Sequence, residues 1–385
     1  MRSVVIVGAG IAGLCLAIEL RNNGTDVTVV ERRYPGAGNS GRNVGRMRRT
    51  QLTADLTEYA CAALDRWDRL DELMGGRNPL LYPTSYSWAL YREAEQARLA
   101  SLQEVWAAHG AQARMVSASE LLEANPILVG GERPVSGVIS EGVIVHHDAA
   151  IHGLLLEART LGVRFVLGDS VVGSIDDGDR LAGVVTAAGL RLDADVVVNA
   201  GGARSGDIAR LLGVEIPNTA VRREVLVTEP RSPFMRGAIV FYTPQEGWFN
   251  QTLRGEMVAG VVDTDEPLGL NEGSSLRFLS RTARVMTQKA PRLANLRVIR
   301  QWAGCYDWTP DKRAIVGFHA ARPGLYEMNG WSGRGFHLAP LTAQLAAREI
   351  SGEGRHRLLT PFAADRFVGT GAVVEPNADY FGSYR

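Results

Sequence analysis

Only three cysteines occur in 385 residues, and Cys15, Cys61 and Cys305 lie too far apart for a CxxC pair or a metal-ligand spacing. That excludes a disulfide scaffold and a cysteine-built metal centre, and the thiols read as buried or unpaired ones in a reducing compartment. Net charge is also lacking. The 42 Lys plus Arg offset the 42 Asp plus Glu, so no global field calls for nucleic acid or an anionic membrane surface. No apolar run approaches the ~20 residues of a membrane span. No charged leader with a cleavage site precedes the strand-like Arg2-Ser3-Val4-Val5-Ile6-Val7. Repeats and low-complexity stretches are absent as well. The expectation is a cytoplasmic protein of about two domains, without a metal.

What is present begins with one βαβ unit. Val4 to Val7 is a β-branched run suited to a strand buried on both faces. Gly8-Ala9-Gly10-Ile11-Ala12-Gly13 follows, then an apolar helix ended by Asn22-Asn23-Gly24, then a strand from Asp26 to Val30 that finishes at Glu31. Further on, Asp148 is expected to cap a helix from Ala149 to about Leu161, with a strand from Val163 to Leu167. Short antiparallel strands are expected over 170–190, a buried strand from Asp195 to Asn199, and a last helix from about Ala339 to Ile350. Residues 81–144 are rich in Trp, Tyr and helix formers. Residues 216–314 read as successive strands, with a turn at Pro244-Gln245-Glu246-Gly247. The fold class is therefore α/β with a Rossmann-like domain in three segments (1–80, 145–215, 315–385). An antiparallel-sheet substrate domain (81–144, 216–314) is inserted into it.

The glycine loop has a physical task. Gly8 permits the tight turn, Gly10 lets backbone approach a pyrophosphate, and Gly13 allows close packing of helix on strand. The helix start offers unpaired N–H groups to phosphates, and Glu31 at a strand end can accept from a ribose. The loop alone does not separate FAD from NAD.

Other segments do so by resemblance. Gly38-Asn39-Ser40-Gly41-Arg42-Asn43-Val44-Gly45-Arg46-Met47-Arg48, His147-Asp148-Ala149-Ala150 and Gln251-Thr252-Leu253-Arg254-Gly255-Glu256 resemble the D-amino-acid oxidase and sarcosine oxidase superfamily of flavoenzymes. So do Gln301-Trp302-Ala303-Gly304-Cys305-Tyr306-Asp307-Trp308-Thr309-Pro310-Asp311 and Asn329-Gly330-Trp331-Ser332-Gly333-Arg334-Gly335-Phe336-His337. The pattern is most similar to beta subunits of heterotetrameric sarcosine oxidase and to glycine and proline dehydrogenases. The resemblance implies non-covalent FAD and oxidation of an amine or amino acid C–N bond by hydride transfer to flavin N5. Turnover would pass electrons to oxygen, a quinone or a partner flavoprotein, with a hetero-oligomer among the arrangements. A hydrogen-peroxide-producing oxidase, a tailoring enzyme for a larger biosynthetic amine, and a flavin-binding scaffold without turnover are the alternatives.

By the same resemblance, FAD would be held by Gly8, Gly10, Ile11, Ala12, Gly13, Glu31, Arg32, Asn39, Ser40, Arg42, Asn43, Val44, Gly45, Val171, Ala200, Gly201, Gly304, Gly330, Gly333, Arg334, Gly335, Phe336 and His337. Arg48, Gln251, Trp331 and His337 would contact substrate, with Arg48 and His337 as the catalytic pair. Arg48 would pair with a substrate carboxylate, or, like Arg46 and Arg49, face solvent or phosphate. His337 would bind carboxylate, or cap and pack. His147 matches the position that holds a second flavin, FMN, in heterotetramers, with His146 beside it. Cys305 lies one residue from the covalent attachment point of monomeric sarcosine oxidases. Val258 is placed where monomeric oxidases carry an oxygen-activating lysine. That neutral residue, with only Arg254 and His337 nearby to compensate, implies slow reaction with oxygen. Trp248, Phe249, Tyr306 and Trp308 line a cavity or fill a core. No residue stands out as a general base.

Overall fold

The computed structural model describes residues 2–235, 237–241 and 247–367. From the N-terminus run β1 (Ser3–Val7), α1 (Ile11–Asn22), β2 (Asp26–Glu31), β3 (Arg46–Arg48), α2 (Ala54–Trp67) and α3 (Leu70–Leu73). Next come β4 (Leu81–Leu90), α4 (Glu93–Ala100), α5 (Gln103–Ala108), β5 (Ala113–Ser117), α6 (Ala118–Ala124) and β6 (Ser136–Val145). The middle holds α7 (His147–Thr160), β7 (Arg164–Leu167), β8 (Val171–Asp177), β9 (Arg180–Thr186), β10 (Arg191–Asp193), β11 (Val196–Asn199) and α8 (Ser205–Leu211). The remainder is β12 (Thr219–Pro230), β13 (Gly237–Phe241), β14 (Gly247–Gln251), β15 (Glu256–Val261), α9 (Leu276–Lys289), β16 (Val298–Trp308), β17 (Ile315–Phe318), β18 (Leu325–Asn329) and α10 (Gly335–Ser351).

One sheet has the order β17-β18-β11-β1-β2-β7 and is parallel except at β17. Alternate residues of β1 explain its layers. Val4 and Ile6 pack with α1 and α10, while Val5 and Val7 pack against the small sheet β10-β9-β8. Covering both faces removes any reason for polar alternation, which is why the strand reads as a continuous apolar run.

The second sheet has the order β16-β12-β15-β14-β13-β4-β6-β3, with β5 also on β6. It is antiparallel apart from the β13–β4 pair, which is parallel and departs from the all-antiparallel expectation. Period-two alternation splits its faces: Ile239, Phe241, Phe249 and Ala259 enter an apolar cluster with α9, whereas Val240, Trp248 and Gly260 face a cavity. β3, from the segment after the glycine loop, joins this sheet beside β6.

Three expected elements are corrected. α9 interrupts the run read as strands. Ser275 caps it by accepting from Phe278 N at 3.1 Å, and Phe278, Thr282, Val285, Met286 and Lys289 form its buried stripe. α7 is capped by His146, whose Nδ1 accepts from Ala149 N at 3.4 Å, and Asp148 sits inside the first turn. α10 starts at Gly335, one turn before the expected Ala339, with Pro340 inside it. Of the turn expected at 244–247, residues 244–246 lie outside the described residues. No helix among the described residues is long and apolar enough to cross a membrane, and no group of His, Cys, Asp and Glu among them forms a metal site.

Candidate active site

The C-terminal ends of β1, β2 and β11 open onto one cavity of about 540 Å³ that continues across the exposed face of the large sheet. Its nucleotide end is built by close approach. Gly8 adopts φ +114°, and a Cβ there would lie 2.5 Å from Ala200 O. A Cβ on Gly13 would lie 2.0 Å from Gly8 O, so only glycine lets α1 sit on the loop. Glu31 orients the same loop: Oε2 accepts from Ala9 N at 3.0 Å and Oε1 from Arg33 N at 2.9 Å. Ser40 Oγ accepts from Ile11 N at 3.0 Å, which ties the 38–45 segment to the start of α1. This half is a cradle of backbone N–H groups and one carboxylate, as a dinucleotide needs.

Nearly all of the residues expected to hold the cofactor line this cavity: Gly8, Gly10, Ile11, Ala12, Glu31, Arg32, Asn39, Ser40, Arg42, Asn43, Val44, Gly45, Val171, Ala200, Gly201, Gly304, Gly333, Arg334, Gly335, Phe336 and His337. Gly13 and Gly330 stand behind the wall. Gly330, at φ +69°, shapes the turn beneath it, where a Cβ would lie 2.6 Å from Thr309 Cγ2. Arg48 and Trp331 line the cavity, but Gln251 does not. The Gln251 amide is spent on a loop. It accepts from Phe234 N at 2.8 Å and donates to Gly255 O at 3.0 Å.

The opposite end is aromatic and cationic. Gly45, at φ +62°, turns the chain into β3, and its N–H donates to Asn43 Oδ1 at 2.7 Å. Arg46 and Arg48, two residues apart, then point to one side. The Arg48 guanidinium donates to Thr50 O at 2.9 Å and Tyr86 Oη at 3.2 Å, and lies 4.8 Å over the Trp88 ring. Arg46 stacks 4.0 Å over Trp248. Arg49 points elsewhere, donating to Asp65 at 2.8 Å and Cys61 O at 3.0 Å.

His337 is fully buried. Burial, with the carbonyl of Ala60 opposing and the charges of Arg48 and Arg334 reinforcing, pushes its pKa down to about 3. Its Nε2 lies 3.2 Å from Ala60 O, so it is a neutral donor there and not a cation for a carboxylate or for oxygen. Val258 is buried and outside the lining, while Gly260 and Trp248 of the neighbouring register are on it. Arg254 is exposed and pairs with Glu256 at 3.1 Å.

Sequence reasoning missed several cavity cations, Arg223 and Lys312 among them. Arg223 lies 4.6 Å and Lys312 Nζ 3.5 Å from the Trp308 ring centroid, and Tyr306 and Trp308 both line the cavity and pack with Val221 in a small apolar cluster. Lys312 has φ +57°, unusual for a side-chain-bearing residue, directly after the Thr309-Pro310-Asp311 turn that signalled it. Asp307 was also missed. Burial pushes its carboxyl up to about 7, although backbone N–H groups of the 330–332 turn oppose this.

Cys305 donates to Asn271 O at 3.1 Å, and burial raises its pKa. All three cysteines are free and buried. His146 and His147 stack on each other with ring centroids 5.8 Å apart at the start of α7, outside the cavity lining.

Residues 3–349 match the family model described as DAO, FAD dependent oxidoreductase. The chain is similar to sarcosine oxidase subunit beta of Arthrobacter, 27% identical over 97% of this chain and 92% of that protein. It is also similar to glycine oxidase of Pseudomonas aeruginosa, 27% identical over 93% and 96% of the two chains. L-proline dehydrogenase from P. horikoshii shares the fold with a TM-score of 0.87, at 23% identity, over 97% of this chain and 99% of that one.

Proposed function

The chain belongs to the DAO family of FAD dependent oxidoreductases, and from that premise we propose that it oxidises the C–N bond of an amino acid or amine to an imine, with bound FAD supplying the hydride acceptor at its N5. One observation carries the reading: the glycine-loop cradle and the arginine–aromatic wall share a single cavity. A dinucleotide laid from Gly8 toward the 333–337 turn would reach both, and the residues present fit FAD. The start of α10, turned toward the cavity at Gly335, favours negative charge beside it. Arg48 would hold the substrate carboxylate, Trp331 and Trp248 would exclude water, and water readmitted later would hydrolyse the imine. The discontinuous segments 1–80, 145–215 and 315–385, of which 368–385 lie outside the described residues, would carry FAD, and the inserted ones, joined by β3 with its Arg48, the substrate. The relatives named as sarcosine oxidase beta subunits support a hetero-oligomer and transfer of electrons onward to a partner or to oxygen. Slow reaction with oxygen was inferred from a neutral side chain at the activating position. With Lys312, Arg46 and Arg223 on the wall, that premise no longer holds.

Two results are expected of the cofactor site. Glu31→Ala should weaken FAD binding by roughly 1–3 kcal/mol in a fluorescence titration, since it removes both a ribose acceptor and the partner of Ala9 N. Unchanged affinity would place the ribose elsewhere. Acid precipitation should release all the flavin, because the Cys305 thiol, although on the cavity wall, donates to Asn271 O and is held protonated by burial, and both histidines lie outside the cavity lining. Flavin left on the precipitate would refute dissociable FAD. Turnover itself is tested by product balance with an artificial acceptor, where one carbonyl product and one amine should appear per acceptor reduced. Acceptor reduction without carbonyl product would count against C–N oxidation.

A further inference from the structure

Asp307 is an acid of the cavity wall that C–N oxidation leaves unused. It stands between Tyr306 and Trp308 on β16 and is buried. A tight turn is folded against it. Gly330, Ser332 and Gly333 all have positive φ, at +69°, +49° and +87°, and a residue with a side chain, such as Ser332, keeps that conformation only under outside constraint. The constraint comes from β16 and the residue after it. Ser332 N donates to Asp307 O at 3.1 Å, and Ser332 Oγ accepts from Thr309 N at 3.2 Å. Backbone N–H groups of 330–332 also converge on the Asp307 carboxyl, yet its Oδ2 has no hydrogen-bond partner among the described residues. A carboxylate oxygen buried without a donor is costly, so burial outweighs those N–H groups and the carboxyl keeps its proton up to about pH 7.

The same turn runs into Gly335, where α10 begins and its positive end meets the cavity. FAD gains negative charge on reduction, and charge nearby tunes how readily it does so. An ionised Asp307 beside the turn opposes that gain, whereas a protonated one does not. We propose that Asp307 is a positioning residue for the flavin end of the cavity, shaping the 330–333 turn and taking up a proton when FAD is reduced. Two electrons and one proton enter the flavin, and above neutral pH a second proton passes from solvent to the Asp307 carboxylate. This rests on FAD occupying the cavity and not on the substrate that reduces it. The other ionisable groups brought here are Cys305 on β16, Arg223 and Glu224 on β12, Arg204 before α8, Lys312 after β16, and Arg334 and His337 at the start of α10. Burial raises Glu224 and Cys305 as well and lowers His337 to about 3, which leaves Glu224 as the acid to be distinguished from Asp307.

The test is the midpoint potential of the FAD-loaded protein, titrated anaerobically against redox dyes from pH 6 to 9. In the wild-type protein the reduction equilibrium should fall about tenfold per pH unit below 7 and steepen toward about a hundredfold per unit above it, which is a change from about 30 to about 60 mV per unit for a two-electron couple. Asp307→Asn keeps the shape and an acceptor oxygen but takes up no proton, so the shallow slope should persist throughout. Asp307→Ala removes the acceptor as well and should weaken FAD binding at pH 6 by at least about tenfold, a loss that Asp307→Asn should largely avoid. Glu224→Gln serves as the comparison and should steepen as the wild type does. A wild-type slope that stays near tenfold over the whole range overturns the proposal without any variant. A steepening that survives Asp307→Asn and disappears in Glu224→Gln overturns the assignment to Asp307, and equal FAD affinity in the wild type and Asp307→Ala overturns its part in shaping the turn. No amine enters the titration. A steepening slope in a protein that no amine reduces therefore refutes C–N oxidation alone, and a constant slope in a protein that an amine does reduce refutes the role of Asp307 alone.

Discussion

Arg48→Ala is expected to raise KM for a carboxylate-bearing substrate by on the order of 10²–10³-fold while changing that of a matched neutral amine by less than about threefold. The side chain is fixed before substrate arrives, by Thr50 O at 2.9 Å, Tyr86 Oη at 3.2 Å and the rings of Tyr86 and Trp88. Little rotamer entropy remains to be lost on binding, so most of the charge-assisted interaction appears as affinity. Truncation would leave the substrate carboxylate without the fork of Arg48 in a partly buried wall, and that desolvation dominates the loss. Arg48→Lys keeps the charge but not the fork, and should recover only part of it. Steady-state kinetics with the two substrates decides the matter. Equal losses for both would mean that Arg48 supports β3 or the cofactor.

Glu327→Gln is expected to remove most of a stability loss that the wild-type protein suffers between about pH 6 and 9. Glu327 lies on β18, and in register its neighbour on β11 is Asn199. Its Oε2 accepts from the Asn329 amide, and its Oε1 has no hydrogen-bond partner among the described residues. Burial pushes its carboxyl from the ordinary 4.5 up to about 8, with the amides of Asn329 and Asn199 opposing. The folded protein therefore holds a proton that the unfolded chain releases. The contribution is fully present below about 4.5 and is lost as pH rises through about 8, amounting to several kcal/mol in order of magnitude. Asp307, raised to about 7, acts with the same sign but completes its titration earlier, so the span from 7 to 9 isolates Glu327. The loss should reach the cofactor too. Asn199 Oδ1 accepts from Gly201 N at 3.3 Å and Asn329 Nδ2 donates to Asn199 O at 3.1 Å, so the ends of β11 and β18 meet the wall at Ala200 and Gly201. Thermal melts at pH 6 and pH 9 measure the effect. Parallel pH curves for wild type and Glu327→Gln would show that the carboxyl does not hold its proton.

How much of this was legible in the sequence depends on whether the cause was local. The β-branched run of β1, the glycines that close onto Ala200 and Gly8, and Glu31 at a strand end are local requirements, and their positions follow from spacing. α9 was missed although its signal was there: a Ser cap and an apolar stripe at helical spacing, set among strand-like neighbours. The start of α10 was placed late because Pro340 suits a first turn, whereas the chain begins to coil at Gly335. His146 took the cap expected of Asp148, since a ring nitrogen can accept an N–H as an oxygen does. Tertiary position was not legible. Arg223 on β12 and Lys312 after β16 meet on the Trp308 ring, and nothing in either segment announces the other. Gln251 was expected on the cavity and supports a loop. Val258 lies on the same face of β15 as Gly260, two residues earlier, so its place along the strand rather than its face keeps it off the wall. The proton affinities of His337, Asp307 and Glu327 come from complete burial, which residue type alone does not reveal.

The most direct test is anaerobic mixing of the FAD-loaded protein with a panel of amino acids and amines, including N-substituted and two-acid members, while the flavin absorbance is followed. The expected result is loss of the oxidised flavin band with at least one amino acid, at a rate that saturates with its concentration, and return of the band when an acceptor is admitted. A flavin that stays oxidised with every amine and amino acid, in protein that retains its full complement of FAD, would contradict C–N oxidation as the function of this cavity.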